Sequence, residues 1–342
     1  MNRRNLFSVA ALVAACAAGI PCAAAEAVAI DKRIVLLVDE WKAVRNLPVV
    51  IAERLGYLKA GGMDVTVMNT RDDPWHGEML IDGRIDAVMA YWHHNVVNQS
   101  IGRDTQAIVT LGVTPGVKVM IANQAKDRYR TAADLKGSRF IAGGAGSSKT
   151  TVANALVLAG GLKLTDYTRL GTDGREANVA ALRAGKADFV IAPTPDGDFY
   201  EAQGVATQFA DLTTLEGTKK SFGAPFPTST VFMSTARITE RPDIARHLAK
   251  AFAKTLQYMN THSAEQIAEL IPNIVVGKDR EAYMKAMREA LPMFANDGRM
   301  PADGAAREFG TLVEFNPKFK GVDVQRTYTN NFVDEALKSI RP

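Results

Sequence analysis

Short β-branched runs alternate with stretches of helical periodicity along this chain, and the alternation starts twice. Arg33–Val38 (RIVLLV) reads as a buried strand. Val44–Ala60 follows with apolar residues at helical spacing (Leu47, Val50, Ile51, Leu55, Leu58) and a Gly61-Gly62 stop. Asp64–Met68 is the next strand, Gly77–Leu80 opens a helix that closes near Gly83, and Asp86–Ala90 is a third strand. The pattern restarts with a strand at Val117–Ala122 and a short helix at Thr131–Gly137. A strand at Arg139–Ala142, a glycine-rich loop at Gly143–Lys149 and a helix from Thr150 to Gly160 follow. A helix at Asn178–Ala184, stopped by Gly185, leads into the strand Ala187–Ala192. This order implies an α/β fold of two lobes, each a mostly parallel sheet flanked by helices.

The last third is predicted mostly helical: Pro242–Asn260, Ser263–Leu270, Asp279–Leu291 and Asn331–Ile340. A strand at Thr230–Met233 is expected to return the chain to the first lobe. Lobe 1 is then 26–119 with 229–342, lobe 2 is 120–228, and the crossings fall near Val117–Ile121 and Thr228–Met233.

The first residues read as an export signal. Met1–Arg4 is basic, Leu6–Ala18 is apolar apart from Ser8, and Cys22-Ala23-Ala24-Ala25 offers a cleavage site, so residues 1–25 are expected to be removed. The apolar run is shorter than the ~20 residues of a membrane span. Arg3-Arg4-Asn5-Leu6-Phe7 resembles a twin-arginine signal, and Val13-Ala14-Ala15-Cys16 resembles a lipoprotein box that would place a lipid on Cys16. Both cysteines precede the cleavage site, so no disulfide, thiolate metal site or cysteine nucleophile is expected after it. Removing Arg3 and Arg4 leaves 39 basic residues against 37 acidic ones, with no basic tract, which argues against nucleic acid as a partner.

Four stretches carry a family resemblance: Ala52-Glu-Arg-Leu-Gly-Tyr-Leu58, Gly83-Arg-Ile-Asp-Ala-Val88, Ala181-Leu-Arg-Ala-Gly-Lys-Ala-Asp188 and the helical stretch Pro242–Ala268. In this order the chain resembles the substrate-binding proteins of bacterial ABC importers for nitrate, sulfonates, taurine and pyrimidine precursors, which have the type II periplasmic binding fold. The resemblance implies a periplasmic, monomeric protein without cofactor, which binds a small molecule between its lobes and hands it to a membrane permease. Elementary physics points to the same place, because ligands of open α/β sheets bind beyond the carboxyl ends of the strands.

Four loops qualify on that argument: Glu40-Trp41-Lys42, Thr70–His76, Tyr91-Trp92-His93-His94-Asn95 and Gly143–Thr150, with Pro193-Thr194-Pro195-Asp196 as a weaker fifth. All three tryptophans, Trp41, Trp75 and Trp92, fall in the first three. The candidate binding residues are therefore Trp41, Lys42, Trp75, Tyr91, Trp92, His93, His94, Ser147, Ser148, Thr150 and Thr194. Relatives commonly carry a small turn where this chain has Tyr91-Trp92-His93-His94. The bulky rings point to a ligand with a flat or apolar body, an aromatic carboxylate or sulfonate, which a protonated histidine would pair with. Backbone amides at Asn95 and Val96 are a further expected anion site. Lys42 and Arg71 are the nearest cations, and Asp72, Asp73 and Asp196 oppose an anion there.

Gly143–Thr150 is not a nucleotide phosphate loop, since that motif needs glycine directly before the lysine and Ser148 stands there. Ser147, Ser148 and Thr150 remain candidates to hold an anion at a helix start, against simple capping of that helix. The enzyme alternative is a protein of the same fold acting on a pyrimidine or related heterocycle, as in thiamine precursor synthesis. The resemblance there implies a cysteine-rich segment, which is missing, and no catalytic triad, carboxylate pair or metal motif emerges. The expectation is a binder and not an enzyme.

Overall fold

The computed structural model describes residues 32–70, 76–171 and 174–340. Two five-stranded sheets organise the chain. The first contains β1 (Arg33–Asp39), β2 (Asp64–Thr70), β3 (Ala87–Tyr91), β4 (Thr105–Thr110) and β10 (Ser229–Ser234) in the order β2-β1-β3-β10-β4. The second contains β5 (Val117–Ala122), β6 (Arg139–Ile141), β7 (Thr168–Leu170), β8 (Phe189–Pro193) and β9 (Ala206–Leu212) in the order β7-β6-β8-β5-β9. In each sheet one strand runs against its neighbours. β10 is antiparallel to β3 and β4, and β5 is antiparallel to β8 and β9.

Helices α1 (Leu47–Arg54), α2 (His76–Ile81) and α3 (His93–Ser100) accompany the first sheet. Helices α4 (Ser148–Ala159), α5 (Arg175–Arg183), α6 (Asp196–Ala202) and α7 (Leu215–Phe222) accompany the second. The remainder is α8 (Thr235–Glu240), α9 (Pro242–Thr261), α10 (Ala264–Leu270), α11 (Asn273–Val276), α12 (Arg280–Ala290), α13 (Ala302–Phe315) and α14 (Asn331–Ile340). Leu248, Phe252 and Leu256 of α9 pack with Ile34, Leu36 and Val38 of β1 in one core, which Tyr283, Met284 and Met287 of α12 join. The second sheet has its own core, where Phe140 and Phe189 stack at 4.4 Å. Among the described residues no helix is long and apolar enough to cross a membrane.

Two expectations change. α1 ends at Arg54 and not at Ala60, because Gly56 adopts φ 71°, a left-handed conformation that stops a helix at little cost. The segments expected as crossings are themselves strands: Val117–Ala122 is paired along its length in the second sheet and Ser229–Ser234 in the first. The linking stretches are 111–116 and 223–228, and they bond to each other. Thr228 N donates to Gly112 O at 2.9 Å, Phe226 N to Val113 O at 2.9 Å, and Thr228 Oγ1 to Thr114 O at 3.1 Å. Gly112 admits this approach, since a Cβ there would lie 2.2 Å from Thr228 Oγ1.

A short motif recurs with the same job in both sheets. Gly83-Arg-Ile-Asp86 and Gly185-Lys-Ala-Asp188 each end a helix on a positive-φ glycine and place a buried aspartate just before a strand. Asp86 accepts Val35 N at 2.8 Å and Arg237 Nε and Nη2 at 2.9 and 2.7 Å. Asp188 accepts Arg139 N at 3.0 Å, Arg139 Nε and Nη2 at 2.9 Å each, and Arg128 Nη2 at 2.6 Å. Each carboxylate thereby ties its strand to the neighbouring one.

Candidate functional site

A cavity of 1190 Å³ lies where the carboxyl ends of β1, β3 and β8 and the start of α4 meet. The first sheet contributes Asp39, Tyr91 and the residues just past them, and the second contributes Gly146–Lys149 and Pro193–Pro195. The third wall is apolar: Val275, Val276, Ala282, Ala286, Ala290 and Met293, on and around α12. The volume exceeds the few hundred to ~1,000 Å³ typical of small-molecule pockets. It is generous for a bare oxoanion and leaves room for an organic body.

Aromatic rings form a row along the first-sheet side. Tyr91 and His93 lie 5.9 Å apart, His93 and His94 4.3 Å, His94 and His76 4.6 Å, and His76 reaches Phe232 at 5.8 Å. The Tyr91-Trp92-His93-His94 stretch is not a loop. Tyr91 ends β3, Trp92 already has helical φ −56° and ψ −37°, and His93 and His94 form the first turn of α3. Burial drives His93 down to about 4, with His76 adding to the shift, and it drives His94 well below its ordinary value, with His93 and His76 adding. Both rings are thus neutral near pH 7, so the expected protonated histidine does not arise here.

That depression has a measurable consequence. A histidine charged in the unfolded chain below ~6.5 but still neutral in the fold loses stability on acidification. The contribution of His93 is complete above about pH 6.5 and declines as pH falls toward about 4. We expect His93→Gln to flatten the stability profile between those values in urea melts, and nuclear magnetic resonance to show the His93 ring titrating near 4. A ring titrating at 6 or above would contradict the burial.

Of the other residues expected at the site, Lys42, Tyr91, Ser147, Ser148 and Thr194 line the cavity with His93 and His94. Burial raises the Tyr91 phenol, against the opposing charge of Arg45 and a smaller lowering effect of Ser148. Ser147 caps α4, accepting Thr150 N at 3.2 Å and donating to Ala142 O at 3.0 Å. Gly143 at φ 78° makes that fold-back feasible.

Three positions are corrected. Trp92 is fully buried and its Nε1 donates to Thr327 Oγ1 at 3.1 Å, so the ring closes the core behind β3 instead of facing a ligand. Trp41 packs against the core of the first sheet and does not line the cavity. Thr150 is 1 % exposed and donates to Ala142 O and Gly144 O at 3.0 and 2.8 Å, so it stabilises the loop. The Asn95 amide donates to Trp92 O at 2.9 Å and is not available to an anion. Trp75, Arg71, Asp72 and Asp73 lie outside the described residues.

Sequence reasoning missed Arg45, Lys149, Lys278 and the α12 wall. Arg45 sits between Asp39 at 3.4 Å and Glu40 at 2.6 Å. The α12 periodicity was readable, but its face looked like ordinary core. Tyr283 on that face is pushed up to about 12 by burial. Among the described residues no group of histidines and acids is arranged to hold a metal ion.

The two sheets, each with one antiparallel strand, and a cleft between their carboxyl ends define a type II periplasmic binding fold. Residues 44–266 match the family model described as NMT1/THI5 like, and the chain belongs to that family. A solved protein of Bordetella bronchiseptica RB50 is 26% identical, with a TM-score of 0.73 over 90% of this chain and 98% of that one. The periplasmic aliphatic sulphonate binding protein SsuA from Escherichia coli is 18% identical, with a TM-score of 0.63 over 86% of this chain and 91% of its own. The desulfurization enzyme DSZB has the same fold at 15% identity and a TM-score of 0.62, over 90% of this chain and all of its own (100%). No curated protein matches the sequence.

Proposed function

We propose that the protein is the extracytoplasmic solute-binding component of an ABC importer, capturing a small organic anion with an apolar or aromatic body by closure of its two lobes. The observation that carries this reading is the large cavity walled from both sheets. Tyr91 and Ser148 line it from opposite lobes. Beside the cavity, Lys118 Nζ of β5 stands 2.8 Å from Asp198 of α6 and 3.5 Å from Glu289 of α12. Lys285 of α12 pairs with Asp198 as well. Burial opposes ionisation of Asp198, yet its bonds to the two lysines hold the carboxyl down at about 2. A ligand that touches both lobes binds the closed form better and shifts the population toward it.

In this reading residues 1–25 direct export, with Cys16 lipidation as the variant route. Lobe 1 is 26–119 with 229–342, lobe 2 is 120–228 with β5 added to it, and a monomer docks on a membrane permease. The test is calorimetry and thermal shift of the purified protein against aromatic carboxylates, sulfonates, nitrate and pyrimidines. Saturable one-to-one binding without chemical change is expected. Lack of binding across the whole set would sink the proposal, and turnover of a bound compound would favour the enzyme alternative.

A further inference from the structure

Among the described residues, four cations and three acids line the cavity: Lys42, Arg45, Lys149 and Lys278 against Asp39, Glu40 and Asp279. The acids are engaged within the protein. Asp39 and Glu40 hold Arg45, and Asp279 Oδ1 accepts Ala282 N at 2.9 Å to cap α12. The three lysines are not: among the described residues, none of their side chains makes an ion pair or hydrogen bond. They also come from three separate parts of the fold. Lys42 follows β1 in the first lobe, Lys149 is in the first turn of α4 in the second, and Lys278 joins α11 to α12.

Lys42 and Lys278 are exposed and Lys149 is half-buried, so their mutual repulsion is screened by solvent in the open cleft and would grow in a narrower one. A monoanion neutralises one of three. His93 and His94 add no charge, being neutral, and the apolar α12 wall supplies a place for the uncharged body. Building on the solute-binding reading, we propose that the ligand carries two negative charges, as a dicarboxylate or a phosphate monoester does, and that Lys42, Lys149 and Lys278 converge on them as the lobes close. Lysine suits this task as a mobile point charge, able to follow a charged group as the cleft narrows.

The experiment compares matched pairs on one scaffold by calorimetry: benzoate, the three benzenedicarboxylates and phenyl phosphate, with aliphatic mono- and dicarboxylates as a second series. The dianions are expected to bind at least tenfold more tightly than their monoanionic partners. That ratio should shrink when sodium chloride rises from 20 to 500 mM, and fall below about threefold in K42M/K149M/K278M, while Lys149→Arg retains it. The dicarboxylate and phosphate arms separate the two sources of charge. Equal affinity for mono- and dianions, or an undiminished ratio in the triple variant with a wild-type melting profile, overturns this inference and leaves solute binding intact. Absence of saturable binding by every compound in both series and in the wider set overturns the underlying reading and this inference with it.

Discussion

Asp188→Ala is expected to destabilise the fold by about 3 kcal/mol, within the range for removing one partner of a buried ionic pair. The carboxylate is buried and accepts four bonds, three from Arg139 and one from Arg128. The arginine side chains are partly exposed and can regain water, which keeps the cost below the upper end of the range. The Arg139 amide belongs to β6 and loses its acceptor outright. Burial alone would raise the Asp188 carboxyl, but the bonds and charge of Arg139 outweigh it and hold the group below the ordinary carboxylate range. Its folded value is depressed, so its contribution is present above the unfolded value of ~3.9. It is lost as pH falls through the folded value. Urea melts of the wild type and Asp188→Asn should therefore differ at pH 7 and converge below about pH 4. A constant gap across that window, or an alanine variant within 1 kcal/mol of the wild type, would refute the role assigned to this motif.

Trp92→Ala should cost about 3–5 kcal/mol, the range for emptying a large aromatic site in a core. The residue joins three parts of the chain: its amide donates to Thr228 O at 2.8 Å, its carbonyl accepts the Asn95 side chain at 3.1 Å, and its indole reaches Thr327. Trp92→Phe keeps most of the packing and loses one hydrogen bond, worth about 1 kcal/mol. The ring does not line the cavity. Affinity for any ligand found by calorimetry should accordingly be unchanged in Trp92→Phe. A tenfold loss of affinity in a stably folded Trp92→Phe protein would return the indole to the binding site.

The fate of the tryptophans marks where the sequence was readable and where it was not. Strand runs such as Ile34–Val38 and Phe189–Ala192 were legible because the residues are mostly buried and β-branched or apolar throughout. The G-x-x-D steps were legible as a recurring pattern, though not their reason, which lies in bonds to distant strands. Which side of a strand end faces the cleft was not legible. Tyr91 and Trp92 are adjacent, both aromatic, and point to different surroundings. The switch from strand to helix falls between them, and neither periodicity spans enough residues to announce it. Val275 to Met293 looked like core because it is core on one side, and only the placement of α12 beside α6 turns its other side into a cavity wall.

The insertion of β10 between β3 and β4 has a bearing on how the chain becomes a protein at all. β3 and β4 are not neighbours, because β10 lies between them and hydrogen-bonds to both. A chain emerging from its N-terminus carries every other strand of the first sheet by Thr110, yet the sheet stays split until residues 229–234 arrive. The second sheet has no such debt, since all its strands lie between Val117 and Leu212. The lobe that begins first is therefore the one that must finish last, and its half-made sheet has to be kept from premature pairing while more than a hundred residues pass.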